Sequence, residues 1–190
     1  MPLVDDGRAV GRRHAAVLLV VALVAAGVLL VALGGMSLMT VTSPSMAPTH
    51  EQGSRLLTTP FGADDPGRGD VIVFRTPRSW ADAAVEAEGF DTGAVDHMVK
   101  RVIGVAGDRV ECCTPGGALI VNGSVLDEPY LQEPPTSSNN PTFRVTVPEG
   151  TVWIMGDNRR RSFDSRAMHA RSSGFLPLTA VTGRPLLRLP

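Results

Sequence analysis

Lysine is almost missing from this 190-residue chain: Lys100 stands alone against 17 arginines. A genome rich in G and C accounts for the arginines, but not for the one position that is lysine. Cysteine is scarce too, and Cys112 and Cys113 are adjacent. That excludes a disulfide framework, which needs partners separated along the chain. Free thiols, a vicinal bridge and pairing to another chain all stay open. Excess charge of either sign is lacking: the formal net charge is -1, so the electrostatics recommend neither nucleic acid nor a strongly acidic partner. No internal repeat is present. Gly104–Gly107 is too short for a phosphate loop and lacks the Lys-Ser/Thr that would follow, and no metal or nucleotide site is visible.

One long apolar run is present. Residues 15–33 read AAVLLVVALVAAGVLLVAL without a charge. As a helix rising ~1.5 Å per residue, this run matches a hydrocarbon core of ~30 Å. A cleaved secretory leader has a shorter apolar core, ~7–15 residues, before a small-residue site, so the run reads as a retained anchor. Arg8, Arg12 and Arg13 precede it, and no Lys or Arg follows before Arg55, which puts the N-terminus in the cytoplasm. The expected organisation is a cytoplasmic tail (1–14), a transmembrane anchor (15–35) and an extracytoplasmic domain (36–190). Met36, Leu38 and Met39 would then stay near the membrane surface.

Beyond the anchor, short Val- and Ile-rich runs alternate with Gly, Pro, Asp and Asn, the pattern of a mostly β, antiparallel domain. Strands are predicted at Ser54–Thr58, Asp70–Phe74, Met98–Val105, Ala118–Val121, Ser124–Leu126, Phe143–Val147 and Val152–Met155. Asn122-Gly123 is a hairpin signal. Two stretches break the rhythm and read as surface insertions: Arg78–Asp96, with a helix around Trp80–Glu88, and the Pro-, Ser- and Asn-rich Glu133–Pro141.

Chemistry is first suggested by residues 42–49, Thr-Ser-Pro-Ser-Met-Ala-Pro-Thr, a hydroxyl-rich segment stiffened by two prolines. Such a segment can hold Ser45 rigidly, although a linker leaving a membrane has the same composition. A serine hydroxyl needs a base to take its proton. His14 lies on the wrong side of the membrane. His50, His97 and His169 show no local triad pattern, although triads assemble from distant positions. Lysine is the alternative, but at its reference pKa of ~10.4 only about one amine in 2,500 is neutral at pH 7. The run Met98-Val99-Lys100-Arg101-Val102-Ile103 can lower that pKa, because an alternating strand with apolar neighbours can bury the amine. Arginine could not serve, since its guanidinium does not deprotonate. A third segment, Gly156–Arg166, is dense in hydroxyls and charges directly after an apolar strand. It reads as a site loop, or as a solvated turn in which Arg159–Arg161 face water.

Four segments in order carry a resemblance: Ser-x-Ser-Met-x-Pro-Thr, Gly-Asp-Val-Ile-Val-Phe at 69–74, Lys-Arg-Val-Ile-Gly-x-x-Gly-Asp at 100–108, and the Gly156–Arg166 loop. Together, after an anchor, they resemble bacterial type I signal peptidases, from about Met39 to Gly183-Arg184. The resemblance implies a signal-peptidase-type β fold with a small inserted β region (about 109–150), and a Ser-Lys dyad that needs no cofactor. Carried over by position, Ser45 is the nucleophile and Lys100 the general base. Ser162 orients the lysine, and Ser43 and the Ser45 N–H hold the oxyanion, Pro44 having no N–H to offer. Asp157 is expected to pair with Arg101, and Asp164 with Arg166. The partners implied are exported preproteins with small residues one and three positions before the cut, together with the lipid bilayer. Val41, Met46, Met98 and Val99 are the candidate pocket walls. Arg160-Arg161 stands where acidic or amide residues are common in the family, and Ala167–Ser173 is unusual beside the loop. Rival readings are a tethered β module without activity, against which the intact Ser45, Lys100 and Ser162 argue, and a Ser-Lys protease that cuts itself or one dedicated partner.

Overall fold

The structure, a computed structural model, describes residues 6–89, 96–134, 136 and 141–189. Residues 90–95, 135 and 137–140, within the two insertions expected from sequence, lie outside the described residues. The chain divides into two compact units, Met1–Met36 and Ser37–Pro190.

The first unit contains helix α1, Asp6–Gly34. Within it Val17, Leu18, Leu19 and Leu23 are each more than half exposed. Among the described residues no helix is long and apolar enough to cross a membrane.

The second unit is antiparallel β. Its strands are β1 (Ser37–Thr40), β2 (Arg55–Thr59), β3 (Val71–Arg75), β4 (His97–Gly104), β5 (Arg109–Cys112), β6 (Leu119–Val121), β7 (Ser124–Val125), β8 (Phe143–Thr146), β9 (Thr151–Met155), β10 (Leu176–Pro177) and β11 (Val181–Leu189). Seven form one sheet in the order β1-β2-β11-β3-β4-β9-β10, and four form a smaller sheet in the order β7-β6-β5-β8. All nine strand pairings are antiparallel. The smaller sheet lies between β4 and β9 in sequence, as an inserted β region. The hairpin β6–β7 turns at Asn122 and Gly123, whose φ values of 53° and 81° suit a tight primed turn. Helix α2, Arg78–Glu88, covers the stretch expected to be helical, starting two residues earlier.

Strand periodicity divides the core. On β9, Val152 and Ile154 face one cluster with Ile72, Phe74, Met98 and Val102, roofed by Trp80, Ala83 and Ala84 of α2. Trp153 and Met155 face a second cluster with Val110, Leu119, Phe143 and Val145 of the small sheet. Strand β9 is therefore buried on both faces, and reads as an unbroken apolar run for that reason. Strands β5, β6 and β8 each bury alternate residues on one face.

Four strands escaped the sequence reading: β1, β5, β10 and β11. Strand β5 (Arg-Val-Glu-Cys) alternates over only four residues, and β10 (Leu-Pro) has two, so both are too short to stand out as a period. Strand β11 carries Pro185 and an irregularity between Pro185 and Leu187, which hides its alternation. It nevertheless bridges β2 and β3 near the centre of the large sheet. Cys112 and Cys113 are bonded to each other, so of the three alternatives the vicinal bridge is the one formed.

Candidate active site

Ser45 sits on a single 3-10 turn, Pro44–Met46, with Pro44 pre-setting φ at its first position. The turn is pinned from below: Met46 is 1% exposed and packs with Val41, Leu56, Val73 and Val99. It is pinned from the side too, because the Asn158 N–H donates to the Ser45 carbonyl at 3.0 Å. That bond docks the loop following β9 against the serine.

Lys100 lies mid-strand in β4, opposite Ile72 of β3, and on the same pleat as Met98 and Val102. Its amine nitrogen Nζ is 2.9 Å from Ser45 Oγ and 3.2 Å from the Val99 carbonyl. Lys100 is 3% exposed and Ser45 6%. Burial is the main reason that the lysine pKa falls from 10.5 to about 8. Among nearby charges Asp164 and Asp157 oppose the shift and Arg166 assists it.

Both carboxylates are neutralised. Asp157 accepts two bonds from Arg101, at 2.8 and 2.6 Å. Asp164, fully buried, accepts two from the Arg166 guanidinium, at 2.9 and 2.7 Å, and caps α3 (Ser165–His169) through the Arg166 N–H. Burial pushes the Asp164 carboxyl up, but Arg166, the Ser162 hydroxyl and the Gly156 N–H outweigh it and hold Asp164 below its ordinary value. Without these partners, two acids would hold Lys100 in its charged form.

The two remaining serines occupy different situations. Ser43 Oγ donates to Ser45 Oγ at 3.0 Å. Ser162 Oγ is buried beside Asp164 with no hydrogen bond of good geometry, and makes none to Lys100. Gly156 faces both groups: a Cβ there would overlap the Ser45 carbonyl and the Ser162 hydroxyl, and would stand 2.7 Å from Ser162 Cβ.

A cleft of about 310 Å³ opens over the dyad. Val41, Met46, Met98 and Val99 line it, together with Met39 and Phe163, which the sequence reading left out. On its β9 side, β4 is paired only from Arg101 to Gly104, so among the described residues the backbone of residues 97–100 has no strand neighbour along that edge.

Behind the site lies a polar network that sequence did not reveal. Arg101 stacks on the Tyr130 ring, 4.0 Å from its centroid, and donates to the Gly69 carbonyl at 2.7 Å. Tyr130 Oη donates to Glu128 Oε1 at 2.7 Å, and Glu128 in turn takes both arms of the Arg159 guanidinium. Arg159 Nε donates to the Gly156 carbonyl at 3.2 Å. Residues 128–130, which lie between β7 and β8 of the small sheet, thereby hold the loop after β9. Solvation of the whole run Arg159–Arg161 is corrected: Arg159 is 7% exposed and ion-paired, and only its two neighbours face water. Tyr130, the single tyrosine of the chain, was the available signal.

A buried serine hydroxyl against a lysine amine, at the floor of a cleft in an antiparallel β domain, is an arrangement suited to acyl transfer. Residues 12–189 match the family model described as signal peptidase, peptidase S26. The chain is 38% identical over 150 residues to a probable signal peptidase I-1 of Synechocystis sp., covering 78% of this chain and 68% of that protein. It is 39% identical over 161 residues to the signal peptidase I of Mycobacterium tuberculosis, covering 67% and 53%. A crystal structure of a signal peptidase I from Enterococcus faecalis is 30% identical, covering 63% of this chain and 96% of that one, with a TM-score of 0.44. The chain thus spans about half the length of the mycobacterial relative and about two thirds of the cyanobacterial one. It belongs to the signal peptidase family, peptidase S26, and is by class a serine-type peptidase.

Proposed function

We propose that this protein is a membrane-anchored endopeptidase that removes N-terminal signal peptides from exported preproteins, with Ser45 as nucleophile and Lys100 as general base. The observation that carries the reading is the 2.9 Å approach of Lys100 Nζ to Ser45 Oγ in a buried setting that favours the neutral amine.

In this mechanism Lys100 takes the Ser45 proton as Oγ attacks the scissile carbonyl, and then delivers it to the leaving amine. Water, deprotonated by the same amine, hydrolyses the acyl-enzyme. The oxyanion is met by the Ser45 N–H and by the Ser43 hydroxyl, which turns from Ser45 Oγ toward the new charge; one such donor is typically worth ~2.7–4 kcal/mol. Ser162, a buried hydroxyl beside Asp164 that makes no hydrogen bond of good geometry, is the orienting group for the amine once substrate fills the cleft. The apolar wall of Val41, Met46, Met98 and Val99 suits small residues such as alanine before the cut. The open edge of β4 suits an extended peptide adding as a strand.

The anchor is α1. Its uncharged stretch, residues 15–33, continues on both sides of the exposed Val17–Leu29, and three arginines precede it. The N-terminus is therefore cytoplasmic, the catalytic domain extracytoplasmic and the protein resident in the cell membrane.

Cleavage of a preprotein by the detergent-solubilised full chain tests the reading. Wild type is expected to release the mature protein, and Ser45→Ala and Lys100→Arg to lose the activity. Undiminished cleavage by Lys100→Arg would overturn the dyad. Release of the protein from membranes by alkaline carbonate would overturn the anchor.

A further inference from the structure

Among the described residues the charged or titratable groups that line the cleft over Ser45 are Lys100, Arg160, Arg161 and His97, with no Asp or Glu. Lys100 is buried and its charge is lost as pH rises past about 8, so the exposed, permanent positive charge of the cleft is the arginine pair. Both arginines are exposed. Arg160 is held only loosely, by Glu133 at 3.2 Å, with side-chain exposures of 57% and 63%. Among the described residues Arg161 has no carboxylate partner. The acids closest to the dyad are already committed, Asp157 to Arg101 and Asp164 to Arg166.

The pair also marks where the cleft leads. Arg160 and Arg161 line a second hollow of about 230 Å³ together with Asn158, Arg159, Gln132 and two acids, Glu133 and the Arg101-paired Asp157. Val41, Met98 and Val99 line only the first hollow whereas Arg160 and Arg161 line both, so the two guanidinium groups stand at the end of the cleft that meets the second hollow. Arginine forks match carboxylates in shape and charge. Two like charges side by side, Arg160 on a weakly held carboxylate and Arg161 with no carboxylate partner among the described residues, while Asp157 is committed to Arg101, favour an anionic ligand.

We infer that Arg160 and Arg161 are specificity-determining residues that select substrates carrying Asp or Glu in the first few positions after the cut. The inference rests on the proposed peptidase reading: the apolar wall takes the small residues before the scissile bond, which leaves the arginine end for the new N-terminus. Glu133 acts as a competing internal carboxylate, occupying Arg160 until a substrate carboxylate displaces it.

The test uses the full chain in nonionic detergent, where no anionic lipid competes. Matched substrates would carry Asp, Ala or Lys at each of positions one to five after the cut, with a parallel set substituted before it. Exposed arginine–carboxylate contacts are individually weak, and exchanging attraction for repulsion at two of them gives a preference of about tenfold in kcat/KM for Asp over Lys. The effect should lie in KM and should shrink at high salt. Charge reversal, Arg160→Glu with Arg161→Glu, should invert the preference. Glu133→Gln, which touches neither the dyad nor its supports, should strengthen it.

A wild type that cleaves all substrates with no dependence on downstream charge overturns the inference while leaving the peptidase reading intact. So does a preference confined to positions before the cut. A reversal variant that loses activity equally on all substrates also overturns it, since that places the arginines in loop folding or lipid contact instead. Absence of cleavage of any substrate by wild type would fail the peptidase reading itself.

Discussion

If Lys100 is the base, activity must follow its deprotonation. At the folded-state pKa of about 8, about one amine in ten is neutral at pH 7, against roughly one in three thousand for an unshifted amine at 10.5. The kcat/KM for preprotein cleavage should therefore climb about tenfold per pH unit below 8 and flatten above. Between pH 6 and pH 9 the rise amounts to roughly ninetyfold. A histidine base with an ordinary pKa of ~6.5 would give only about fourfold over that interval. Initial rates from pH 5.5 to 9.5, with circular dichroism checking the fold at each end, separate the two. A rise of less than about tenfold, or a midpoint near 6.5, would refute the assignment. Lys100→Arg provides the companion measurement: its permanently charged group should cost at least about a hundredfold in kcat/KM.

The same burial makes Lys100 a stability liability. Because its folded pKa lies below its unfolded one, the protein loses stability as pH falls from about 10.5 to about 8 and stays level below that, a total of about 3 kcal/mol. Lys100→Met should thus be inactive yet about 2–3 kcal/mol more stable at pH 7, with the gap closing near pH 10.5; denaturant unfolding at pH 7 and 10 would show it, and a less stable variant at pH 7 would contradict it. Gly156→Ala drives a Cβ into the Ser45 carbonyl and Ser162, and should cost about 1–3 kcal/mol of stability and a larger factor in kcat, both read on the purified variant. Asp157→Asn strands the Arg101 charge, which is 11% exposed at its side chain. The fold should lose about 3 kcal/mol, and the acid limb of the pH profile should move lower, since Asp157 opposes the lysine shift.

Strands with two buried faces or a clean period of two were legible in the sequence. Strand β9 declared itself by an apolar run, and β4 by the apolar residues on either side of Lys100-Arg101. The turn at Asn122-Gly123 needed only local chemistry. Strand β11 was not legible, because its place between β2 and β3 comes from long-range pairing, and Pro185 breaks the alternation that would have announced it. The same division runs through the site. The segment around Ser45 and the strand around Lys100 were candidates by residue type, and the order of the four family-like motifs is what singled them out. Nothing local distinguishes Arg159, buried against Glu128, from Arg160 and Arg161 beside it in water, because burial depends on what the segment 128–130 covers.

By itself the sequence determined the family, the β class of the domain, and the pair of residue types on which the chemistry depends, because these rest on composition, periodicity and motif order. Tertiary structure alone decided that 55 residues of separation close to a 2.9 Å contact. It also decided that burial lowers the pKa of the amine to about 8, which acids are cancelled by which arginines, and that two further arginines are exposed at the cleft. The physical reason is that solvation and Coulomb interactions depend on distances through space, and the order of residues along the chain does not fix those distances.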